Sequence, residues 1–180
     1  MKAYYICLGW LMAGLAMAED IPSGPEVGKA APALEVSDLT GAHKGKKVDY
    51  VKVRKGEPTI YVLLGDDGWN RPTARYLRIL DDSITKQNAG AYLVVVRLTE
   101  DKERAAMVLP RAHAALRLTS SAFTLYPGAA TGPDDWSLND RAFVTTVVCV
   151  KGKVAATFAD QSLDEARAPA IFNALKKAMK

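Results

Sequence analysis

The pattern of apolar positions divides the middle of the chain into three predicted elements. The runs TIYVLLG at 59–65 and AYLVVVRL at 91–98 are short, continuous and rich in β-branched residues, which predicts strands buried on both faces. Between them, residues 70–87 carry apolar side chains at helical spacing, namely Ala74, Leu77, Leu80 and Ile84. This part of the chain therefore predicts a strand, a helix and a second strand.

A second helix is predicted directly after these elements. Thr99 is placed to cap it, and the helix continues to about Arg117. Pro110 is expected to break or kink it, because proline cannot donate a backbone hydrogen bond. Residues 118–141 are rich in loop-forming residues, and we predict no strand within them.

The C-terminal part of the chain predicts a hairpin and a last helix. The apolar runs FVTTVVCV at 143–150 and VAATF at 154–158 flank the tight turn KGK. Ser162 and Glu165 have the spacing of a helix capping box, and the helix continues to the C-terminus. Pro169 favours a regular start about one turn later.

Two shorter strands are predicted before these elements, after a lead-in rich in proline and glycine. LEVSDLTG at 34–41 indicates a strand and a turn, and the alternating run KGKKVDYVKV at 44–53 predicts a strand that pairs with it. From residue 59 onward the order of elements is β, α, β, α, β, β, α. A strand, helix, strand crossover joins parallel strands, whereas the hairpin adds an antiparallel pair. We therefore predict an α/β fold, with a mixed central sheet flanked by helices and an N-terminal strand extension.

The N-terminus predicts a secretory signal peptide. A lysine at position 2 precedes an uncharged apolar run, and small residues end it at Ala18, where cleavage is expected. The run is shorter than the roughly 20 residues of a membrane-spanning helix, so an uncleaved anchor is the less favoured alternative. Cys7 lies too early to be the lipid-bearing cysteine of a lipoprotein. We expect an exported protein, periplasmic or extracellular, with a lead-in at 19–26 and one domain at 27–180.

Charge and cysteine content exclude some classes of function. The chain has 24 basic and 20 acidic residues, and removal of residues 1–18 leaves 162 residues with a balance of +3. Such a small excess does not favour nucleic-acid binding. Cys149 is then the one remaining cysteine, which excludes an internal disulfide and two-cysteine redox chemistry within one chain.

Three motifs, in the same order, resemble the thioredoxin-like superfamily, and in particular its group of peroxiredoxins and membrane-associated thioredoxin-like reductases. VGKAAPALEVSDLTG at 27–41 resembles that group's opening strand and turn. KGEPTIYVLLGDDGWNRPT at 55–73 resembles its apolar strand followed by W-C-x-P-C, and FVTTVVCVKGKVAATF at 143–158 resembles its closing hairpin. The resemblance covers about residues 27–180 and implies a thioredoxin-like fold.

The resemblance also implies where an active site lies, and there the chain departs from the group's pattern. Trp69 falls on the motif's tryptophan, Arg71 on the variable position and Pro72 on the proline, while Asn70 and Thr73 fall on the two cysteines. In addition, Val144 falls on the group's cis-proline. A cis bond before a residue other than proline costs roughly 2.5–4 kcal/mol, so we expect the peptide bond before Val144 to be trans.

These departures remove the chemistry of disulfide exchange, which needs an attacking thiolate and a resolving thiol. Asn70 cannot ionise but can cap a helix, and Thr73 has no base in the flanking sequence. We therefore favour a redox-inactive binding module that holds a protein, peptide or small ligand near residues 66–73 and 143–145, with no cofactor. The binding residues of this hypothesis are the six motif positions, Trp69, Asn70, Arg71, Pro72, Thr73 and Val144. The alternative is a thiol-dependent oxidoreductase or peroxidase-like enzyme acting through Cys149.

Other candidate groups have structural interpretations that we favour. Cys149 alternates with apolar residues in a predicted strand, so we expect a buried, inert thiol. His43 and His113 belong to no cluster with metal-ligand spacing and are expected to have local structural roles. We expect Asp66 and Asp67 to be solvated loop carboxylates in preference to a cation or partner site.

Two further patterns leave alternatives open. A run of basic residues follows residue 43, for which protection of a sheet edge is favoured over an anion-binding patch: Lys44, Lys46, Lys47, Lys52, Arg54 and Lys55. Trp69 and the loop that carries Trp136 are candidates for a contact surface, since tryptophan is a frequent interface anchor. The equally weighted alternative is that Trp69 packs the start of the helix and Trp136 covers a loop.

Overall fold

A seven-stranded mixed sheet organises the residues that the computed structural model describes, which are 21–87, 90–161, 163 and 165–180. The spatial order of its strands is β2-β1-β5-β4-β3-β6-β7. The strands are β1 (Glu35–Asp38), β2 (Lys47–Asp49), β3 (Thr59–Leu64), β4 (Tyr92–Arg97), β5 (Ser121–Leu125), β6 (Val144–Val150) and β7 (Lys153–Asp160). The predicted α/β class and mixed sheet are confirmed.

The described residues also form four α-helices: α1 (Tyr50–Val53), α2 (Arg71–Lys86), α3 (Lys102–Leu116) and α4 (Arg167–Met179). α2, α3 and α4 contribute buried apolar residues to one core layer, which also contains Ile60, Val62 and Leu64 of β3. Tyr61 and Leu63 alternate with them and belong to a second core layer, together with Tyr50 of α1 and residues of the loop after β5. The sheet therefore separates two apolar layers.

β3 is the best-paired strand of the sheet. All six of its residues are buried, and it pairs in parallel with β4 and antiparallel with β6 over its full length. The register runs from Thr59 opposite Cys149 to Leu64 opposite Val144. A continuous apolar run suits such a strand, because both of its faces are covered.

The prediction of a loop throughout 118–141 is wrong, because β5 lies within it. β5 pairs in parallel with β4 and antiparallel with β1, and all five of its residues are buried. Its sequence, SAFTL, is short and partly polar, so its pattern does not distinguish it from a loop. Its polar side chains have partners: the Thr124 hydroxyl donates a hydrogen bond to the Val95 carbonyl at 2.9 Å, and the Ser121 hydroxyl lies 3.2 Å from the His113 ring.

The predicted strand at 44–53 is correct only in its middle. β2 pairs antiparallel with β1, as predicted, but covers three residues before α1 begins. The Asp49 carboxylate accepts hydrogen bonds from the backbone N–H groups of Val51 and Lys52, at 3.0 and 3.3 Å. This cap stabilises a helical turn where alternation predicts strand.

The helix boundaries differ from two of the predictions. α3 begins after Asp101, whose carboxylate accepts from the Arg104 N–H at 3.1 Å, so Asp101 and not Thr99 is the cap. Pro110 lies inside α3 and does not break it. α4 begins with Arg167, and Pro169 lies in its first turn, as the later start predicts. Ser162 of the predicted capping box lies outside the described residues, as does the predicted signal peptide at 1–18.

The predicted hairpin is confirmed, with a two-residue turn at Lys151 and Gly152. Both residues have positive φ, 54° and 73°. This is the backbone of a type I′ turn, whose twist matches that of the strands that it joins. In the part of the chain that the structure describes, no helix is long and apolar enough to cross a membrane.

Asp81 of α2 anchors the chain segment that leads into β5. Its buried carboxylate accepts hydrogen bonds from the N–H groups of Thr119 and Ser120, at 2.9 and 2.8 Å. The neighbouring Asp82 is exposed. The two aspartates therefore provide a matched pair for testing this contact.

We predict that Asp81→Ala lowers the free energy of unfolding by about 2 kcal/mol, because it leaves two backbone donors without their acceptor. Asp82→Ala is expected to change it by less than about 0.5 kcal/mol. Denaturant unfolding followed by circular dichroism measures both variants. Equal effects of the two substitutions would show that the Asp81 contacts contribute nothing specific to stability.

Candidate functional site

The candidate site lies where β3 ends and α2 begins. A short 3₁₀ turn, Asp66–Gly68, joins the two elements. The Gly65 N–H donates to the Phe143 carbonyl at 3.0 Å, and a Cβ at Gly68 would overlap the same carbonyl oxygen. The turn is thus held against the residue before β6, which brings the segments 66–73 and 143–145 together as predicted.

Asn70 caps α2, as its residue type predicts. Its side-chain oxygen accepts from the Thr73 N–H at 3.0 Å, and Pro72 lies in the first turn of the helix. The Thr73 hydroxyl donates to the Gly68 carbonyl at 2.7 Å. Both polar side chains therefore stabilise the start of α2, and their hydrogen-bond partners among the described residues include no basic group.

Two of the six predicted binding residues offer no side chain to a partner. Thr73 and Val144 are buried, because the first faces the turn before α2 and the second faces the core beneath it. The peptide bond before Val144 is trans, as expected. Phe143, which the sequence did not single out, is 36% exposed at this site.

The remaining predicted residues form an accessible surface together with this phenylalanine. Asn70 and Arg71 are exposed, and Trp69 and Pro72 are half-buried. We call this surface the α2 face, made of Trp69, Asn70, Arg71, Pro72 and Phe143. Phe143 and Arg71 belong to residue types, aromatic and arginine, that often anchor protein interfaces.

The two tryptophans of the predicted contact surface lie in different places. Trp69 packs edge-on against Phe123, with ring centroids 5.8 Å apart, and keeps part of its surface exposed. Trp136 is fully buried in the other core layer, packed edge-on against Tyr61, and its indole N–H donates to the Ala33 carbonyl at 3.1 Å. Trp136 is thus a core residue rather than the cover of a loop, and its inclusion in a contact surface is wrong.

Asp66 is held by an arginine that the sequence analysis did not identify. Arg97, the last residue of β4, donates to the Asp66 carboxylate at 2.6 Å and to the Gly65 carbonyl. Burial lowers the pKa of the Arg97 guanidinium, and the charge of Asp66 opposes this effect. Both aspartates are exposed, and Asp66 is ion-paired with Arg97. A charged residue ending an apolar strand is the signal that could have pointed to this pair.

Two cavities flank the Asp66–Arg97 pair. The larger, about 740 Å³, has an apolar floor that includes Leu63 and Leu98 and is bordered by Phe143. The smaller, about 520 Å³, lies between Trp69 and the start of α3. Ligands of open α/β sheets commonly bind at the carboxyl ends of the strands, which is where both cavities lie.

Cys149 lies far from this site and is buried. It is 5% exposed and faces Thr59, at the end of β3 opposite the α2 face. Burial raises the pKa of the Cys149 thiol to about 12, so the reactive thiolate is scarce near neutral pH. The prediction of a buried thiol is confirmed.

The histidines have local contacts. His113 contacts the Ser121 hydroxyl at 3.2 Å and packs edge-on against Phe123, and burial lowers its pKa. His43 packs edge-on against Tyr50. Among the described residues, no three His, Cys, Asp or Glu side chains are arranged to hold a metal ion.

The basic residues around β2 have different structural roles. β2 is an edge strand of the sheet, as the edge-protection interpretation requires, and it begins with Lys47. The Arg54 guanidinium donates to the Thr59 hydroxyl at 3.1 Å and lies over the Tyr92 ring at 5.1 Å. Arg54 is thus a structural residue rather than part of an anion site.

Comparison with known proteins identifies the fold. No model of a protein family matches the chain, and no curated protein matches its sequence. Solved structures do match, among them peroxidoxin BcpB from Mycobacterium tuberculosis, at 14% identity and TM-score 0.60 over 85% of this chain and 97% of that one. BsSco, a member of the Sco family of cytochrome c oxidase assembly proteins, matches at 12% identity and TM-score 0.60 over 89% and 96%.

A third match is the pneumococcal exposed lipoprotein thioredoxin from Streptococcus pneumoniae, at 15% identity and TM-score 0.55 over 81% of this chain and 99% of that one. The protein therefore has a thioredoxin-like fold, as the sequence motifs imply. At identities this low the likeness establishes the fold and not the activity.

We predict that Asn70→Ala lowers the free energy of unfolding by about 1 kcal/mol, because α2 loses its cap. Asn70→Asp retains a side-chain acceptor and is expected to stay near the wild-type value. Denaturant titration of the three proteins provides the comparison. If Asn70→Asp were as destabilised as Asn70→Ala, the role of this side chain as a cap would be refuted.

We also predict that Cys149 resists thiol reagents in the folded protein. Near pH 8, labelling is expected to be at least about a hundredfold slower than in guanidinium, because the folded thiol is both buried and protonated. Mass spectrometry of peptides assigns the label to Cys149 and separates it from any other cysteine. Rapid labelling without unfolding would contradict the burial of this thiol.

Proposed function

We propose that this protein is an exported thioredoxin-like binding module that does not carry out thiol-disulfide chemistry. In this proposal the α2 face binds a protein, peptide or small ligand. The observation that carries the proposal is the start of α2, where Asn70 and Thr73 are bonded as structural residues. Cys149, by contrast, is buried at the other end of β3.

The absence of redox chemistry is supported by the bonds at this position. Disulfide exchange requires a thiolate that attacks and a thiol that resolves the mixed disulfide. The Asn70 amide cannot ionise, and the Thr73 hydroxyl is buried and donates its proton to a carbonyl. Neither group is available for nucleophilic attack.

A binding role is supported by what the same region exposes. Phe143, Trp69 and Arg71 lie around the start of α2, beside cavities of about 740 and 520 Å³. The turn beneath them is fixed by the Gly65 hydrogen bond and the close approach of Gly68 to Phe143. A surface that is already ordered loses little conformational freedom when it binds.

Export is supported by the sequence at residues 1–18, which has the charge, apolar run and small residues of a signal peptide. The alternative enzyme hypothesis requires Cys149 to react, and its burial and raised pKa oppose that requirement. Disulfide reductase and peroxidase assays with Cys149→Ser as the control test it directly. Turnover that disappears in Cys149→Ser would favour the enzyme.

We predict that Trp69→Ala combined with Arg71→Ala abolishes capture of a partner from the native envelope fraction, because it removes an apolar anchor and a charge from the α2 face. The matched control is Met107→Ala combined with Arg111→Ala, which removes an exposed apolar residue and an exposed arginine from α3. Circular dichroism verifies that both variants fold. Each captured protein is identified by mass spectrometry and its affinity measured by calorimetry.

The comparison gives an outcome in each direction. A partner retained by wild type and the α3 control, but lost by the α2-face variant, supports the proposal. Equal capture by all three proteins would place the interface elsewhere and overturn the assignment to the α2 face. A small-ligand screen by thermal shift, with the same three proteins, tests for a ligand that the envelope fraction does not retain.

A further inference from the structure

The end of the molecule opposite the α2 face carries exposed lysines together with exposed apolar side chains. We call this surface the basic pole and define it by Val27, Lys29, Lys55, Lys151, Lys153 and Met179. It is built where the chain enters β3 and where the β6–β7 hairpin turns. It includes Lys55, the last residue of the basic run at 44–55.

Backbone contacts bring these segments together. The Lys151 N–H donates to the Gly56 carbonyl at 2.8 Å, which joins the hairpin turn to the segment before β3. The Val154 N–H donates to the Lys29 carbonyl at 2.9 Å, which joins the N-terminal segment to the start of β7. A cavity of about 650 Å³ lies between Lys55, Lys151 and Met179.

The positive charge of the basic pole is not neutralised by ion pairs. None of its four lysines forms an ion pair in the described part of the chain. Glu26 and Glu57 are the acidic residues in the same segments, and the end of α4 adds Lys176, Lys177 and Lys180 around Met179. These segments therefore contain seven lysines and two glutamates, a local excess of +5 in a chain whose whole balance is +4.

Apolar side chains at the basic pole distinguish between classes of anionic partner. Val27 is 54% exposed and Met179 is 36% exposed. Lysines beside exposed apolar groups match a membrane surface, where the charges meet anionic headgroups and the apolar groups enter the boundary with the acyl chains. A nucleic acid offers the phosphates but no such apolar layer.

We propose that the basic pole binds the surface of a membrane that contains anionic lipids. β3 starts at this pole and ends at the α2 face, so its six residues separate the two surfaces by about 20 Å. A molecule held by its basic pole therefore presents the α2 face away from the bilayer. This inference does not depend on the binding role of the α2 face.

The test is co-sedimentation with vesicles of phosphatidylcholine, with and without roughly one-third phosphatidylglycerol. The exported protein is used, with its N-terminus determined by mass spectrometry. Lys55→Glu combined with Lys151→Glu reverses two charges of the basic pole. Arg78→Glu combined with Arg111→Glu, on exposed positions of α2 and α3, makes the same change in net charge elsewhere. All proteins share one N-terminus, so any contribution from it cancels between variants.

We expect wild type to bind the anionic vesicles and not the neutral ones, with binding that weakens as salt is added. Lys55→Glu with Lys151→Glu is expected to reduce binding roughly tenfold or more, and the control to stay within about twofold. Val27→Ser with Met179→Ser is expected to weaken binding at low and at high salt, because the apolar contribution of these two side chains is not electrostatic.

Three results would overturn the proposal. One is the absence of binding to anionic vesicles by folded wild type. Another is an equal loss in the basic-pole variant and the α2–α3 control, which would show that only net charge matters. The third is binding to dextran sulfate or DNA with no binding to vesicles, which would assign the basic pole to a soluble polyanion.

Discussion

The two-sided pairing of β3 is the constraint on which the other surfaces depend. β3 is hydrogen-bonded to β4 and β6 along its whole length, and its side chains alternate between both core layers. Its direction fixes which loops meet at each end of the sheet. The turn into α2 meets the start of β6 at one end, and the segment before β3 meets the hairpin turn at the other. One strand thus positions both proposed binding surfaces.

Much of this architecture could be predicted because local pattern and tertiary environment agree. β3, β4 and the β6–β7 hairpin combine continuous apolar runs with a clear turn, so burial only reinforces what the sequence favours. β5 could not be predicted in the same way. Its five residues include a serine and a threonine, and they form a strand because β1 and β4 provide partners on both sides. α1 is similar, since a single aspartate cap decides between helix and strand.

In the candidate site, too, local contacts could be predicted from the sequence and long-range contacts could not. Residue type alone predicts that Asn70 caps a helix, because the bond is local and spans three residues. The burial of Thr73 and Val144, and the pairing of Asp66 with Arg97, depend on contacts between distant parts of the chain. Spacing identifies which residues are near the start of α2. It does not determine which of them face solvent.

Cys149 is the one free cysteine among the described residues, and it is buried. This affects how the protein can be produced and used. No cross-link holds the described residues together, so their folding requires neither an oxidant nor an isomerase to shuffle sulfur bonds. The described part of this thioredoxin-like fold is held together by burial and hydrogen bonds, and it contains no bond that a reducing agent would break.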